Sequence, residues 1–383
     1  MNRGIFHLSI LHFLRDGFYT SLFLLLPFAV KDLKIDLSQI GALDAIINVL
    51  GIVIAVGIAM LVKKIGGPRL LTLTLLFYSI SFIFLSQAHS FLGLIVSVII
   101  LGTGLALFSP IASATVAKMT KGEARGKDIG VYIACGDIGK AVFPIGVTLL
   151  AVSYGWHALS LLYGLLAALL FFLYFFLFRR NIPFTSISEN KESITYKEIL
   201  HHRKTLMVVI AGTLDSAATS PLFIFLPFLL LEKKIDPSIM GTFVAIFFVG
   251  SVLSRILSGR FTDKIGHTNV FILCEVLMVS VLILLNLSFT SSIILLLIPL
   301  LGLVSEGSDA PIQTMLSESA DHHENYEKVF AVDSFVSGIG NVAGPLLIGS
   351  VATFFGITTA FYVLAGIIGL AILPAIGYKL QKN

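Results

Sequence analysis

Residues 22–66 of this 383-residue chain return at residues 222–266. Aligned without a gap, the stretches agree at 16 of 45 positions, among them Pro27 with Pro227, Asp36 with Asp236, Gly41 with Gly241 and Gly66 with Gly266. Further along the offset becomes 201, where Gly139 and Pro144 answer to Gly340 and Pro345. A chain that repeats itself at half its length predicts two structurally equivalent halves. Charged residues make up only 13% and hydrophobic ones 56%, against roughly 25% charged in soluble domains. That much apolar surface needs the bilayer as its solvent. Parallel repeats in such a chain predict a carrier with a site near the membrane midplane.

Apolar runs of about 20 residues fall near 5–30, 39–62, 70–87, 91–117, 128–152 and 157–178. They resume near 205–231, 239–259, 268–288, 292–316, 327–352 and 355–378. The expected fold is therefore all-α and integral to the membrane. Its 12 transmembrane helices form two pseudo-symmetric six-helix halves, residues 1–178 and 205–383, joined by a cytoplasmic linker at 179–204. Basic residues concentrate on one side: Lys63, Lys64 and Arg69 after span 2, and Lys118, Lys121, Arg125 and Lys127 after span 4. The positive-inside rule then puts both termini in the cytoplasm. Tyr154 and Trp156 are placed as interfacial anchors. Arg15 and Asp16 interrupt the first apolar run, so it does not read as a cleaved signal. Cys135 and Cys274 lie in apolar segments, which predicts neither a disulfide nor a metal site. The formal charge of +4 reflects loop lysines and arginines rather than nucleic-acid binding.

The loop between spans 8 and 9 reads Gly259, Arg260, Phe261, Thr262, Asp263, Lys264, Ile265, Gly266. Its glycine, acid, base and second glycine resemble the signature loop of the major facilitator superfamily. The resemblance covers the whole chain and implies a cytoplasmic gate, in which the loop latches the halves in the outward-open state. The first-half counterpart keeps Lys64 and Gly66 but has Ala59 and Lys63 where the first glycine and the acid belong. The stronger latch is expected at Asp263, with Arg255 about two turns before it. Span 11 carries Gly340, Gly344, Pro345 and Gly349, similar to the glycine-proline helix that the superfamily's antiporters have in span 5. Span 5 itself has Gly136, Gly139, Pro144 and Gly146, with Phe143 where a glycine precedes the proline. Close helix packing is the expectation for both. Within the superfamily, His12 with Asp16, followed by Pro27 and Gly41, resembles the fosmidomycin-resistance exporters. Span 4 adds Gly102, Thr103, Gly104, Phe108 and Pro110, with Ser109 where those proteins carry a histidine.

A charge at the bilayer centre costs about 2.5–3.5 kcal/mol on insertion scales, so each needs a reason. Arg15, Asp16, Asp44, Asp137 and Lys140 lie within spans of the first half, and Asp215, Glu275, Glu306 and Asp309 within those of the second. Acids outnumber bases, so some must be protonated, solvated or matched to a cationic ligand. His12, Asp16, Tyr19, Thr20 and Phe23 share one stripe of span 1, and Gly302, Glu306, Asp309 and Gln313 one stripe of span 10. The resemblance implies that spans 1, 4, 7 and 10 line the cavity, which adds Asp215. Asp137 and Lys140, three apart, either neutralise each other or join the site. Arg15 is expected to balance a neighbouring acid. Asp44 lines the entrance or sits among headgroups, Glu275 stands alone on a peripheral helix, and Asp333 is near water at the start of span 11. Phe23, Phe108 and Phe223 are candidate substrate contacts.

These features predict a secondary transporter that exports a small organic molecule in exchange for protons by alternating access. A proton symporter for metabolite uptake is the other possibility. The acid excess suits a cationic or zwitterionic substrate, whereas the exporter resemblance implies an anionic phosphonate. Sodium stands as the alternative coupling ion. No cofactor is expected, the partners are substrate, coupling ion and lipid, and the superfamily implies a monomer in the inner membrane. An enzyme is excluded for want of a nucleophile–base pair, nucleotide loop or metal cluster.

Overall fold

The structure is a computed structural model that describes residues 3–119, 125–178, 202–288, 290–321 and 326–381. The linker at 179–201, Lys121, His201, His322, His323 and Glu324 lie outside the described residues. The first half contains α1 (Arg3–Leu33), α2 (Leu37–Ile65), α3 (Gly67–Leu85), α4 (Phe91–Met119), α5 (Arg125–Tyr154) and α6 (Trp156–Leu173). A π-helical turn, Tyr174–Phe178, ends α6. The second half contains α7 (Arg203–Glu232), α8 (Met240–Ile265), α9 (His267–Leu287), α10 (Ser291–Ser305), α11 (Asp309–Asp321), α12 (Tyr326–Phe355) and α13 (Ile357–Leu380). Among the described residues there is no strand. Eleven segments among the described residues are long and apolar enough to span a bilayer, with α10 and α11 counted together as Ser291–Ser319. The twelfth is α8, whose apolar stretch is the shorter Met240–Arg255.

The tenth span differs from expectation. It breaks at Glu306–Ser308 into α10 and α11. Pro311, in the first turn of α11, has no N–H to offer the Gly307 carbonyl, so the helical ladder cannot run through. The stripe expected from Gly302 to Gln313 is broken with it. Gly302 is buried against the Phe247 carbonyl of α8, while Asp309 and Gln313 are exposed.

The repeat is legible in the backbone itself. Lys34 and Lys234 share a left-handed conformation, with φ of 53° and 61°. Gly66 and Gly266 link α2 to α3 and α8 to α9 at φ of 92° and 82°, and Gly155 and Gly356 link α5 to α6 and α12 to α13 at 82° and 87°. Glycine tolerates such angles because it has no Cβ.

Packing repeats as well. In one half α1 lies along α5, and in the other α7 lies along α12. A Cβ added at Gly139 would overlap the Phe13 carbonyl, and one at Gly340 would come within 2.6 Å of the Thr213 carbonyl. The substitution noted at Phe143 has a structural counterpart. Its ring covers Gly17, where a Cβ would lie 2.5 Å from the ring, whereas Gly344 admits the Ala217 backbone at the equivalent crossing. By contact the chain divides into two compact units: residues 1–39, 46–190 and 236–245, and residues 40–45, 191–235 and 246–383. Within the first unit Gly241 packs on the Pro144 carbonyl, and within the second Gly41 packs on the Pro345 carbonyl. Both prolines thus serve close backbone crossings.

Candidate functional site

The first unit holds a dense charge cluster around Asp16, which is 2% exposed. Arg15 donates through Nη1 to Asp16 and through Nη2 to the Ser109 hydroxyl of α4 at 2.9 Å. Lys140 of α5 reaches both Asp137 (3.3 Å) and Asp16 (3.7 Å), so it bridges two acids rather than simply cancelling one. Ser109, standing where the resembling exporters carry histidine, is what receives Arg15. The Arg15 Nε is a further buried donor without an acceptor among the described residues. The guanidinium lies 5.8 Å from the Phe108 ring centre, within cation–π range.

His12 completes the cluster. Its ring stacks on Tyr132 at 4.4 Å and on Phe108 at 5.9 Å. Nδ1 lies 3.0 Å from the Tyr132 carbonyl, and Nε2 lies 3.4 Å from Asp16 Oδ2. A carbonyl can only accept, so Nδ1 carries the hydrogen. The pair is accommodated by Gly136. A Cβ there would come within 2.7 Å of both Asp16 Oδ2 and His12 Cε1.

The rest of the span 1 stripe has other duties. Thr20 is buried and donates to the Asp16 backbone carbonyl at 2.8 Å, a bond internal to the helix. Phe23 is fully buried, with Tyr19 edge-on to it at 5.0 Å. Phe223 packs on Phe248 at 5.2 Å.

In the second unit Asp215 is buried and accepts a hydrogen bond from Ser308 at 3.2 Å, at the break in the tenth span. Glu306, at the same break, accepts from Arg255 of α8 at 3.1 Å. Arg255 turns to Glu306, while Asp263, the residue expected to latch, stands exposed at the end of α8. Lys63 and Lys64 close α2 and Lys264 closes α8, all exposed. Gly259 lies within α8. Gly66 and Gly266 cap these helices, donating to Val62 and Thr262 at 2.9 and 3.0 Å.

Four other expectations give way. Glu275 is fully buried rather than near water, and its carboxyl lies against that of Asp215. Asp333 is buried at 9% exposure, with the Ser337 hydroxyl 3.4 Å away. Asp44 is buried, with the Ser220 hydroxyl at 3.5 Å, so it is not a headgroup residue. Trp156 is buried and donates to Asp32 at 3.2 Å, leaving Tyr154 as the exposed aromatic. Gly136, Tyr132 and Ser109 carry the site's geometry without having been singled out for it. The signal for Gly136 was its place beside Asp137 on the helix that carries Lys140.

Two repeated bundles of membrane-spanning helices, with charges buried inside each, define a polytopic helical transporter. The chain belongs to the Major Facilitator Superfamily, whose model matches residues 8–229 and 205–382. Members of that family move small molecules across lipid bilayers and are not enzymes, so this is a multi-pass membrane transporter. The chain is similar to the multidrug resistance protein MdtG of Salmonella typhimurium (strain LT2), 27% identical over 272 residues. That match covers 68% of this chain and 66% of the relative, just under two thirds of its length. The MdtG of Salmonella schwarzengrund matches to the same extent. Among solved structures, the nucleoside transporter NupG superposes with a TM-score of 0.76 at 15% identity, covering 99% of both chains. A bacterial homologue of the human lysosomal transporter Spinster gives 0.75 at 13%, covering 98% of this chain and 96% of its own. At those identities the likeness is one of fold.

Proposed function

We propose that this transporter exports a small organic molecule in exchange for protons by alternating access, from a cell membrane in which both termini face the cytoplasm. One observation carries the coupling. With Nδ1–H committed to the Tyr132 carbonyl, Nε2 of His12 presents a lone pair to the Asp16 carboxylate 3.4 Å away. Two acceptors at that distance attract only when a proton is added between them. His12 and Asp16 are therefore the proton-carrying pair, and a proton rather than sodium is the ion that an imidazole selects. Arg15 and Lys140 both lie against the Asp16 carboxyl, and the proton's arrival leaves the cluster with one more positive charge. That change in charge is what favours one of the two access states over the other.

Phe108 and Tyr132 set aromatic rings around His12 beside the charges, the combination of apolar wall and charge suited to an organic molecule with a polar end. Arg15 Nε supplies a donor to that end. Asp309 and Gln313, exposed on α11, are further candidate contacts. The similarity to a multidrug resistance protein supports export, and the basic loops support the orientation.

Reconstituted protein with a pH dye inside the vesicles tests the proposal, using a panel of a cationic dye, a neutral aromatic and a phosphonate. Addition of a transported compound should move protons in wild type and not in Asp16→Asn. Equal proton movement in both would remove the His12–Asp16 pair from the mechanism. Compound flux without any proton movement in wild type would end the exchange model.

A further inference from the structure

We propose that Asp215 and Glu275 form a second proton-holding site, a carboxyl pair sharing one proton, which governs the break in the tenth span. It lies in the other unit from the His12–Asp16 pair and stands or falls separately. Glu275 is 0% exposed and Asp215 6%. Their carboxyl groups lie side by side. Yet neither oxygen of Glu275 meets a donor among the described residues. Two carboxylates offer each other only lone pairs, so the contact requires a proton on one of them.

Among the described residues, the surroundings supply no alternative neutralisation. The charged or titratable groups that face the pair are Cys274 beside Glu275 on α9 and Glu306 at the break between α10 and α11. From α12, Asp333 packs near Gly212, one turn before Asp215. None of the groups acting on either carboxyl is a base. Arg255 is directed to Glu306 at 3.1 Å. Two full charges here would pay a desolvation cost of several kcal/mol each with no partner to offset it.

The same carboxyl pair touches the break in the tenth span. Ser308 donates to Asp215 at 3.2 Å from the non-helical turn that separates α10 from α11. Gly307 lies against Cys274, where a Cβ would come within 2.8 Å of Sγ. Loss of the shared proton sets the two carboxylates in mutual repulsion. Asp215 then draws harder on Ser308, and the strain falls on residues 306–308 rather than on continuous helix.

Infrared difference spectroscopy of the reconstituted full chain, with pH as the only variable, reads both ends of this link. In a Cys135→Ala background, Cys274 is the one remaining thiol of the chain, so its S–H band reports the turn. The proposal predicts loss of a single protonated-carboxyl band as pH rises, with a shift of the S–H band at the same midpoint. Asp215→Asn and Glu275→Gln should each abolish both changes, while Asp333→Asn preserves them. A carboxyl band that survives in Glu275→Gln with its wild-type midpoint would overturn the shared proton. A carboxyl change without any S–H shift would overturn the control of the turn. Because no substrate is used, failure of the exchange model leaves these outcomes untouched, and the reverse holds too.

Discussion

Replacing Asp16 with Asn keeps the shape of the side chain and removes its charge, which isolates what that charge does for Arg15. Asp16 is 2% exposed and meets Arg15 directly, Lys140 at 3.7 Å and His12 at 3.4 Å. At an effective dielectric of about 20, a unit pair at the Lys140 distance is worth roughly 4–5 kcal/mol before desolvation. The substitution does not strand Lys140, which keeps Asp137 at 3.3 Å. It does strand Arg15, left with the neutral hydroxyls of Ser109 and Tyr78. Breaking a buried pair from one side costs about 3–5 kcal/mol. At about 2–4 °C per kcal/mol for a unit of 150–250 residues, Asp16→Asn should lower the midpoint by on the order of 10 °C. Emission of Trp156, the chain's single tryptophan, follows thermal unfolding in detergent. The double variant Arg15→Met with Asp16→Leu should recover most of the loss, because apolar replacement of a whole buried pair is often neutral. An Asp16→Asn midpoint within about 2 °C of wild type, a loss below roughly 1 kcal/mol, would refute the dependence of Arg15 on Asp16.

Gly139→Ala should destabilise by about 1–3 kcal/mol through overpacking on the Phe13 carbonyl, whereas Gly146→Ala, with open space around it, should not shift the midpoint. Lys34→Gly and Lys234→Gly should each stabilise. Release from left-handed φ gains about 1–2 kcal/mol and glycine's chain entropy takes back about 0.5–1, leaving roughly half to one. Asp36 caps α2, and the hydroxyl of Ser38 together with the Gln39 N–H holds its carboxyl below the usual range. A depressed value means that the cap's contribution is present above the unfolded Asp value and lost as pH falls through the folded one. Stabilities of wild type and Asp36→Ala should therefore differ at neutral pH by about 0.5–2 kcal/mol and converge below pH ~3, as a pH series of thermal melts would show.

Much of this fold was legible because repetition is visible without knowing any contact. The pairs Gly66 with Gly266 and Lys34 with Lys234 are read from the sequence, and their shared backbone angles follow. The charges of span 1 were legible for the same kind of reason, since a three- or four-residue spacing fixes a helix face. What escaped depended on partners distant in sequence. Glu275 was assigned solitude from its place on a peripheral helix, but burial is decided by what packs on it, and Asp215 lies 60 positions earlier. The stripe on span 10 assumed a continuous helix, although Gly307 and Pro311 were a local sign of interruption. Trp156 illustrates the limit of composition rules. An aromatic at a helix start suits an interface, yet packing buries the Trp156 ring while its Nε1–H reaches the exposed Asp32.

The central claim is that proton movement and substrate movement are joined in opposite directions. It is met most directly by accumulation of a labelled panel compound into proteoliposomes under an imposed pH gradient, with the membrane potential clamped. Protein-free vesicles and Asp16→Asn vesicles correct for passive trapping of weak bases. Exchange predicts that acid-interior vesicles accumulate the compound beyond both controls as protons leave, and that alkaline-interior vesicles do not. Accumulation in alkaline-interior vesicles would show protons and compound travelling together and contradict export by exchange. Flux indifferent to the gradient would contradict coupling altogether.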